Sequence, residues 1–161
     1  MILNIGDSIP FLTIPNQDGV ECNIKDLLGE NGAVVYFYPK DNTSGCTLEA
    51  NDFQRLGVDF SALGFKVVGI SKDSVSSHTK FCTKHSLGFT LLSDGEGAAC
   101  EGFGVWQEKK NYGKVYMGIV RSTFLVDANG KILWEHTGYL PGDEAQMEIE
   151  IKKALTLQKK S

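Results

Sequence analysis

One strand, loop and helix near the start of the chain constrain the fold more than any other stretch. Residues 34–38 are a continuous run of β-branched and aromatic side chains, which is typical of a strand buried on both faces. Pro39 ends this strand, and residues 39–45 are rich in the residue types that form turns and helix caps. Apolar residues then recur at helical spacing, so the sequence predicts a helix that begins at or near Cys46.

Cys46 is the candidate catalytic residue of this stretch. A thiol at a helix N-terminus faces unpaired backbone N–H groups and the positive end of the helix dipole, and both favour the nucleophilic thiolate. The hydroxyl of Thr43 can donate to the sulfur or to a bound oxygen, and Pro39 can shield the sulfur from bulk water. The alternative is that Cys46 packs as a small apolar residue, as most buried free cysteines do. The polar loop before it favours the catalytic interpretation.

The motif Pro39-x-x-x-Thr43-x-x-Cys46, after a Tyr-Phe-Tyr strand, resembles the active-site signature of the peroxiredoxins. These are thiol peroxidases with a thioredoxin-like fold, so the resemblance implies both a fold and an activity. Residues 36–50 are most similar to the bacterioferritin-comigratory-protein or peroxiredoxin Q branch, and the similarity continues to the end of the chain. Ser44 stands where that branch commonly has proline, but the chemistry of the motif resides in its three named residues.

The same resemblance implies which thiol completes the reaction. Many relatives carry a resolving cysteine five residues after the peroxidatic one, and here that position is Asn51. One subset of the branch carries it on the next helix instead, and residues 71–82 match that subset. Helical periodicity alone would make Cys82 a core residue. The resemblance therefore implies that Cys82 is the resolving cysteine and that it forms a disulfide with Cys46.

Arg121 and Glu49 are further candidates for the site. Arg121 falls in a predicted strand at residues 119–126, where the residues alone indicate an exposed charge on an edge strand. A buried arginine there would need an anion as its partner, and a thiolate is one. In the family that the motif resembles, an arginine on this strand lies beside the peroxidatic sulfur. Glu49, predicted in the first turn of the Cys46 helix, can bond Arg121 or can lie there because the helix dipole favours an acid.

The whole pattern predicts one α/β domain over residues 1–161. A strand, the Cys46 helix and a second strand suggest a parallel crossover, and Asn129-Gly130 is a strong hairpin signal. The implied mixed central sheet, flanked by helices on both faces, agrees with the thioredoxin-like fold that the resemblance implies. Strands are predicted at residues 11–14, 20–24, 64–71, 89–92, 119–126 and 131–136. The other predicted elements are short helices at residues 25–29 and within 93–104, a helix after Asp73 or Ser74 that ends within residues 85–88, a polar loop at 105–114 and an amphipathic helix at 143–159.

Composition and charge exclude several classes of function. The net charge is −4 and the Lys-Lys pairs are scattered, so no basic patch is expected to follow a nucleic-acid backbone. No apolar run approaches the roughly 20 residues that span a bilayer, and the first residues lack the features of a signal peptide. We therefore expect a cytoplasmic protein, although a removed organellar transit peptide would leave no trace in the sequence. The four cysteines form no Cys-x-x-Cys pair and indicate no structural disulfide framework.

A metal site is the alternative use of the thiols. Cys82 and His85 have a spacing that can bind a metal ion, with His78 and Cys100 as further candidate ligands. Two residues at helical spacing do not make a site, and a structural zinc centre normally shows two paired half-sites. We therefore expect no metal, and the chemistry that the resemblance implies needs no other cofactor.

The resemblance implies a thiol-specific peroxidase. Cys46 would reduce hydrogen peroxide or an organic hydroperoxide, become a sulfenic acid and condense with Cys82, and thioredoxin or a glutaredoxin-type reductant would reopen the disulfide. The branch also suggests a monomer. The alternative is a non-enzymatic thioredoxin-fold module that signals with its thiols, and the set of Thr43, Cys46 and Arg121 favours the enzyme. The missing Cys-x-x-Cys pair argues against a disulfide reductase.

Overall fold

A computed structural model describes residues 2–138, 149, 151–153 and 156 of the 161-residue chain. In chain order the elements are β1 (Thr13–Pro15), β2 (Glu21–Asn23), a 3₁₀ turn (Ile24–Leu27), β3 (Gly32–Phe37), α1 (Ser44–Ala62), β4 (Phe65–Ser71), α2 (Val75–His85), β5 (Thr90–Ser93), α3 (Ala98–Gly102), β6 (Trp106–Asn111), β7 (Lys114–Ile119), β8 (Ser122–Asp127) and β9 (Ile132–Thr137).

A five-stranded mixed sheet, with strands in the order β5-β4-β3-β8-β9, carries the fold. β3, β4 and β5 are parallel, whereas β8 is antiparallel to both β3 and β9. α1 connects β3 to β4, so the predicted parallel crossover is confirmed. β3 is buried at every residue, as expected for a central strand. The carboxyl ends of β3 and β4 lie at one edge of the sheet, which brings the loop before α1 beside the start of α2.

The sheet has a helical layer on each face, as the sequence predicts. Val34 and Tyr36 of β3 belong to one apolar cluster with residues of α1 and α2. Val35 and Phe37 belong to a second cluster with the 3₁₀ turn and α3. Successive side chains of a strand point to opposite faces, so β3 supports both layers.

Most predicted elements differ from the observed ones only at their ends, but the polar loop predicted at residues 105–114 is wrong. β6 and β7 pair there as an antiparallel hairpin. Tyr112 and Gly113 form its turn with φ values of 51° and 77°, the left-handed conformation that a two-residue hairpin turn requires. Most side chains of the hairpin are at least partly exposed. Neither strand therefore shows the alternating apolar pattern by which strands are recognised.

A second correction concerns Arg121, which the sequence places inside a strand. β7 ends at Ile119 and β8 begins at Ser122, so Arg121 lies between the two strands. The chain leaves the hairpin and enters the central sheet at this point. The N–H of Gly138 donates to the Arg121 carbonyl at 2.7 Å, which holds the backbone in place although Arg121 belongs to neither strand.

The C-terminal helix predicted at residues 143–159 lies mostly outside the described residues. Residues 149, 151–153 and 156 are helical, and Ile151 is buried in the cluster that contains α1. No helix within the described part of the chain is long and apolar enough to cross a membrane. A single domain over residues 1–161 stays a prediction.

Candidate active site

Cys46 is the third residue of α1 and is almost fully buried, with 1% of its surface exposed. The chain reaches this position through Asn42, which has a φ of 64°, and through Thr43, the extended N-cap residue. The Thr47 N–H donates to the Thr43 carbonyl at 2.9 Å. The Cys46 N–H lies one residue before this first helical donor. It is therefore one of the N–H groups at the helix start that have no carbonyl partner within the helix. The predicted place of Cys46 at a helix N-terminus is confirmed.

Arg121 contacts the sulfur of Cys46 directly. Its Nη2 donates to Cys46 Sγ at 3.1 Å, while its Nη1 donates to Glu49 Oε1 at 2.6 Å. Burial alone lowers the pKa of Arg121, but the charge of Glu49 and the bond to Cys46 raise that pKa above its ordinary value. The guanidinium therefore stays charged beside the sulfur, where a cation favours the thiolate.

Glu49 lies deeper in the helix than the sequence suggests. The prediction places it in the first turn of α1, but α1 begins at Ser44 and its first turn contains no acidic residue. Glu49 follows Cys46 by three residues, so the two share one side of the helix, and the Glu49 side chain is fully buried. Of the two roles that the sequence leaves open, the structure shows the ion pair with Arg121. This pair orients the guanidinium whose other arm reaches the sulfur.

Thr43 and Pro39 lie in the loop that leads to Cys46. Thr43 is exposed, and its hydroxyl donates to the Lys40 carbonyl at 3.0 Å rather than to the sulfur. Pro39 is half-buried at the end of β3. Donation from Thr43 to a bound oxygen, and shielding of the sulfur by Pro39, stay predictions.

Cys82 has a different environment, in the second half of α2. Its thiol is free and half-buried, and it packs against the apolar cluster that contains α1. Burial, and then the negative charges of Asp41 and Asp18, raise the pKa of Cys82 to about 11. Folded α2 therefore keeps this thiol protonated at neutral pH. The other thiols are free as well, with Cys22 half-buried in β2 and Cys100 buried in α3.

A buried polar network links the loop before α1 to the start of α2, and none of the sequence patterns above predicts it. Asp41 accepts three side-chain hydrogen bonds, from the Tyr38 hydroxyl at 2.6 Å, the Ser77 hydroxyl at 2.8 Å and His78 Nδ1 at 2.7 Å. Asp41 and His78 are both buried. The sequence does contain a signal that could have predicted this network. Polar residues follow two neighbouring parallel strands, at the sheet edge where the carboxyl ends of these strands meet.

Part of this network could in principle hold a cation. Asp41, Asp73 and His78 form the one cluster of three metal-ligating side chains found among the described residues. Protein groups already occupy these atoms, since Asp73 Oδ2 accepts from the Ser71 hydroxyl at 2.6 Å and from the Asp41 N–H at 2.9 Å. Of the ligands considered from the sequence, the cluster includes His78 but neither a cysteine nor His85. It is a completed hydrogen-bond network rather than an open set of ligands.

Comparisons with known proteins agree with this geometry. A family model described as the AhpC/TSA family matches residues 5–135. The chain belongs to the AhpC/TSA family. Peroxiredoxin Bcp of Bacillus subtilis is 45% identical over 135 residues, which are 84% of this chain and 85% of that relative. Peroxiredoxin Bcp of Escherichia coli strain K12 is 45% identical over 130 residues, which are 81% of this chain and 83% of that relative.

Solved structures share the fold of this AhpC/TSA family member. Xanthomonas campestris peroxiredoxin Q has a TM-score of 0.83 at 38% identity, covering 90% of this chain and 94% of that chain. A mutant of Xylella fastidiosa PrxQ has a TM-score of 0.87 at 32% identity, covering 95% of this chain and 98% of that chain. The predicted thioredoxin-like fold and the predicted branch are confirmed. This AhpC/TSA family member is a thiol peroxidase with a peroxidatic cysteine.

Proposed function

We propose that Cys46 is the peroxidatic cysteine of this peroxidase. The observation that carries the proposal is the 3.1 Å contact from the Arg121 guanidinium to Cys46 Sγ, with Glu49 holding the other arm of that guanidinium. The Cys46 thiolate attacks one oxygen of the peroxide, so that an S–O bond forms while the O–O bond breaks. Cys46 becomes a sulfenic acid, and the departing oxygen takes a proton and leaves as water or as an alcohol.

The residues around the sulfur would stabilise the charge that develops on the departing oxygen. The Arg121 guanidinium and the backbone N–H of Cys46 are donors that the fold already holds in place. The Thr43 hydroxyl adds a third donor when it turns from the Lys40 carbonyl toward the substrate. Glu49 acts on Arg121 rather than on the peroxide, and Pro39 limits access of water from the loop side.

Both hydrogen peroxide and organic hydroperoxides are the proposed substrates. The bacterioferritin comigratory protein of Xanthomonas campestris, whose structures concern its alkyl peroxide reduction activity, is 36% identical with a TM-score of 0.84. Its likeness to this chain covers 91% of this chain and 98% of that one, which supports the same substrate class here.

Cys82 is the proposed resolving cysteine. Its thiolate attacks the sulfenic sulfur of Cys46, so that the S–S bond forms while the S–O bond breaks and hydroxide leaves to become water. Thioredoxin or a glutaredoxin-type dithiol then reduces the disulfide, and neither a metal nor another cofactor takes part. A monomeric state and a cytoplasmic location complete the proposal. The resemblance suggests the monomer, and the sequence pattern suggests the location.

We expect disulfide formation to require motion. A disulfide tolerates a Cα separation of at most ~7 Å, and Cys46 begins one helix while Cys82 lies in the second half of the next. We therefore expect the first turn of α1, and the helix that carries Cys82, to unwind locally in the oxidised protein.

A peroxide-consumption assay with thioredoxin, run on the wild type and on each of the four Cys→Ser variants, tests the proposal. We expect Cys46→Ser to abolish turnover, because a serine hydroxyl is un-ionised at neutral pH and is a poor nucleophile toward oxygen. Cys82→Ser should react once with peroxide but fail to turn over, while Cys22→Ser and Cys100→Ser should retain activity. Substantial turnover by Cys46→Ser would refute the assignment of the peroxidatic cysteine.

A further inference from the structure

The buried pair of Asp41 and His78 joins the two segments that carry the proposed reacting thiols. Asp41 lies in the loop between β3 and α1, five residues before Cys46, and His78 lies in the first turn of α2, four residues before Cys82. Their side chains are 1% and 0% exposed, respectively. Residues four apart lie on the same face of a helix, so His78 and Cys82 share one face of α2.

The hydrogen bonds of His78 connect α2 to two other parts of the fold. Nδ1 lies 2.7 Å from Asp41 Oδ2, and Nε2 lies 3.1 Å from the Leu92 carbonyl oxygen. The two ring nitrogens of His78 therefore face oxygens on two different elements, the loop before α1 and β5. Burial alone raises the pKa of Asp41, but the bonds from His78 and Tyr38 and the charge of His78 lower that pKa below its ordinary value. The Asp41 carboxylate and the His78 ring are therefore hydrogen-bonded to each other away from solvent.

Two more hydrogen bonds join the same segments. The Ser77 hydroxyl donates to Asp41 Oδ2 at 2.8 Å, and the Asp41 N–H donates to Asp73 Oδ2 at 2.9 Å, just before α2 begins. These bonds attach the start of α2 to the loop that positions Cys46. The Asp41 carboxylate also contributes, after burial, to the raised pKa of Cys82. One carboxylate thus anchors the helix and adds to the effect of burial on the pKa of its thiol.

We propose that Asp41, Ser77 and His78 form a clasp that holds α2 folded and must open before Cys82 reaches Cys46. His78 is then a positioning residue that sets the rate of disulfide formation, and this proposal rests on the assignment of Cys82 as the resolving cysteine. With the clasp closed, peroxide reacts at Cys46. With the clasp open, α2 unwinds, Cys82 moves away from Asp41, and its thiolate displaces hydroxide from the sulfenic sulfur.

Two variants weaken the clasp, and a third serves as a matched control. His78→Gln removes the imidazole ring that contacts Asp41, and Ser77→Ala removes one donor to Asp41. Thr83→Ala removes a hydroxyl from the same helix that donates to the Thr79 carbonyl, away from the clasp. Alanine has a higher helix propensity than serine or threonine, so neither Ser77→Ala nor Thr83→Ala lowers the propensity of α2. If only Ser77→Ala loosens α2, helix propensity is not the cause.

Two measurements on the full chain report how readily the clasp opens. Amide hydrogen exchange of α2 in the reduced protein reports its opening, and quenched-flow mass spectrometry after one equivalent of hydrogen peroxide reports the rate of disulfide formation. We expect His78→Gln to accelerate both by about tenfold, because it alters the contacts of both ring nitrogens, and Ser77→Ala by about threefold, because it removes a single bond to Asp41. Thr83→Ala should leave both unchanged, and the rate of the first peroxide step should change little in all three variants.

Unchanged exchange and an unchanged disulfide rate in Ser77→Ala would overturn the clasp, and Ser77→Ala keeps the test decisive if His78→Gln does not fold. Faster exchange without faster disulfide formation would also overturn it, because another step would then limit the reaction. Failure of the proposed function has a different signature. If Cys82 is not the resolving cysteine, the disulfide-linked peptide joins Cys46 to another cysteine in the wild type and in every variant. That result would also refute a role of the clasp in disulfide formation.

Discussion

The two thiols that the proposed cycle uses lie on neighbouring helices in opposite electrostatic surroundings. Cys46, at the start of α1, is buried and accepts a hydrogen bond from the Arg121 cation. Cys82, in the second half of α2, is half-buried and feels the negative charges of Asp41 and Asp18, which add to the effect of burial on its pKa. A cation favours a thiolate and an anion favours a thiol. The two surroundings therefore support the proposed roles, in which Cys46 reacts with peroxide and Cys82 is held back.

The two helices also differ in how they are anchored. α1 spans 19 residues and buries several large apolar side chains, and each of these contributes about 1.5–3 kcal/mol of hydrophobic stabilisation. α2 spans 11 residues and buries Phe81 together with the polar His78. The smaller apolar contribution leaves α2 more dependent on its polar contacts with the Cys46 loop. The helix that would release its thiol in the proposed cycle is thus the one with the weaker hydrophobic anchor.

The largest expected effect comes from the cation on the Cys46 side. Arg121→Ala, measured in a Cys82→Ser background that isolates the peroxide step, should slow that step by about 100-fold because both the thiolate and the departing oxygen lose a charged donor. Stopped-flow kinetics with hydrogen peroxide measures the rate constant. Arg55→Ala is the matched control, since Arg55 is largely exposed and pairs with Asp52 on the surface. Equal rates in Arg121→Ala and the control would place Arg121 outside the site.

A smaller effect is expected from Glu49, which acts through Arg121. Glu49→Gln should slow the peroxide step by about fivefold, because an amide holds the guanidinium less firmly than a carboxylate does. In the Arg121→Ala background the same change should have almost no effect, and a double-mutant cycle measures this coupling. Asp52→Asn is the control on the same helix. Additive effects of the two substitutions would contradict the positioning role of Glu49.

The smallest expected effect concerns pH and the Cys82 side. The pKa of Cys82 is about 11 in the folded protein and ordinarily 9.0. Between these values an unfolded chain loses the thiol proton while the folded chain keeps it, so this group stabilises the fold fully below pH 9 and stops doing so as the pH rises to about 11. The melting temperature of the wild type minus that of Cys82→Ser should therefore fall over this range. A constant difference would contradict the raised pKa.

The local parts of the site are the parts that the sequence predicts well. β3, the polar loop and the start of α1 follow one another within a short stretch, and each has a strong signal in residue type or spacing. Cys46 is consequently predicted at a helix N-terminus, where the structure has it. Glu49 is predicted one turn too early because helix starts are the least certain part of such a pattern.

The parts that the sequence misses depend on contacts between distant residues or on exposed surface. Asp41 and His78 belong to different elements, and no periodic pattern connects them. The β6 and β7 hairpin has mostly exposed side chains, so its residues lack the alternation that burial of one face produces. Arg121 is predicted near Cys46 only through the family resemblance, because an isolated arginine carries no information about its partner.

The most direct test of the central claim, that Cys46 reacts with peroxide while Cys82 is withheld, is to map the first product of oxidation. The reduced wild type and Cys82→Ser are treated with one equivalent of hydrogen peroxide in the presence of dimedone, which traps sulfenic acids, and their peptides are analysed by mass spectrometry. We predict a Cys46–Cys82 linked peptide in the wild type and a dimedone adduct on Cys46 in Cys82→Ser. A first adduct on Cys82, Cys22 or Cys100 would contradict the account.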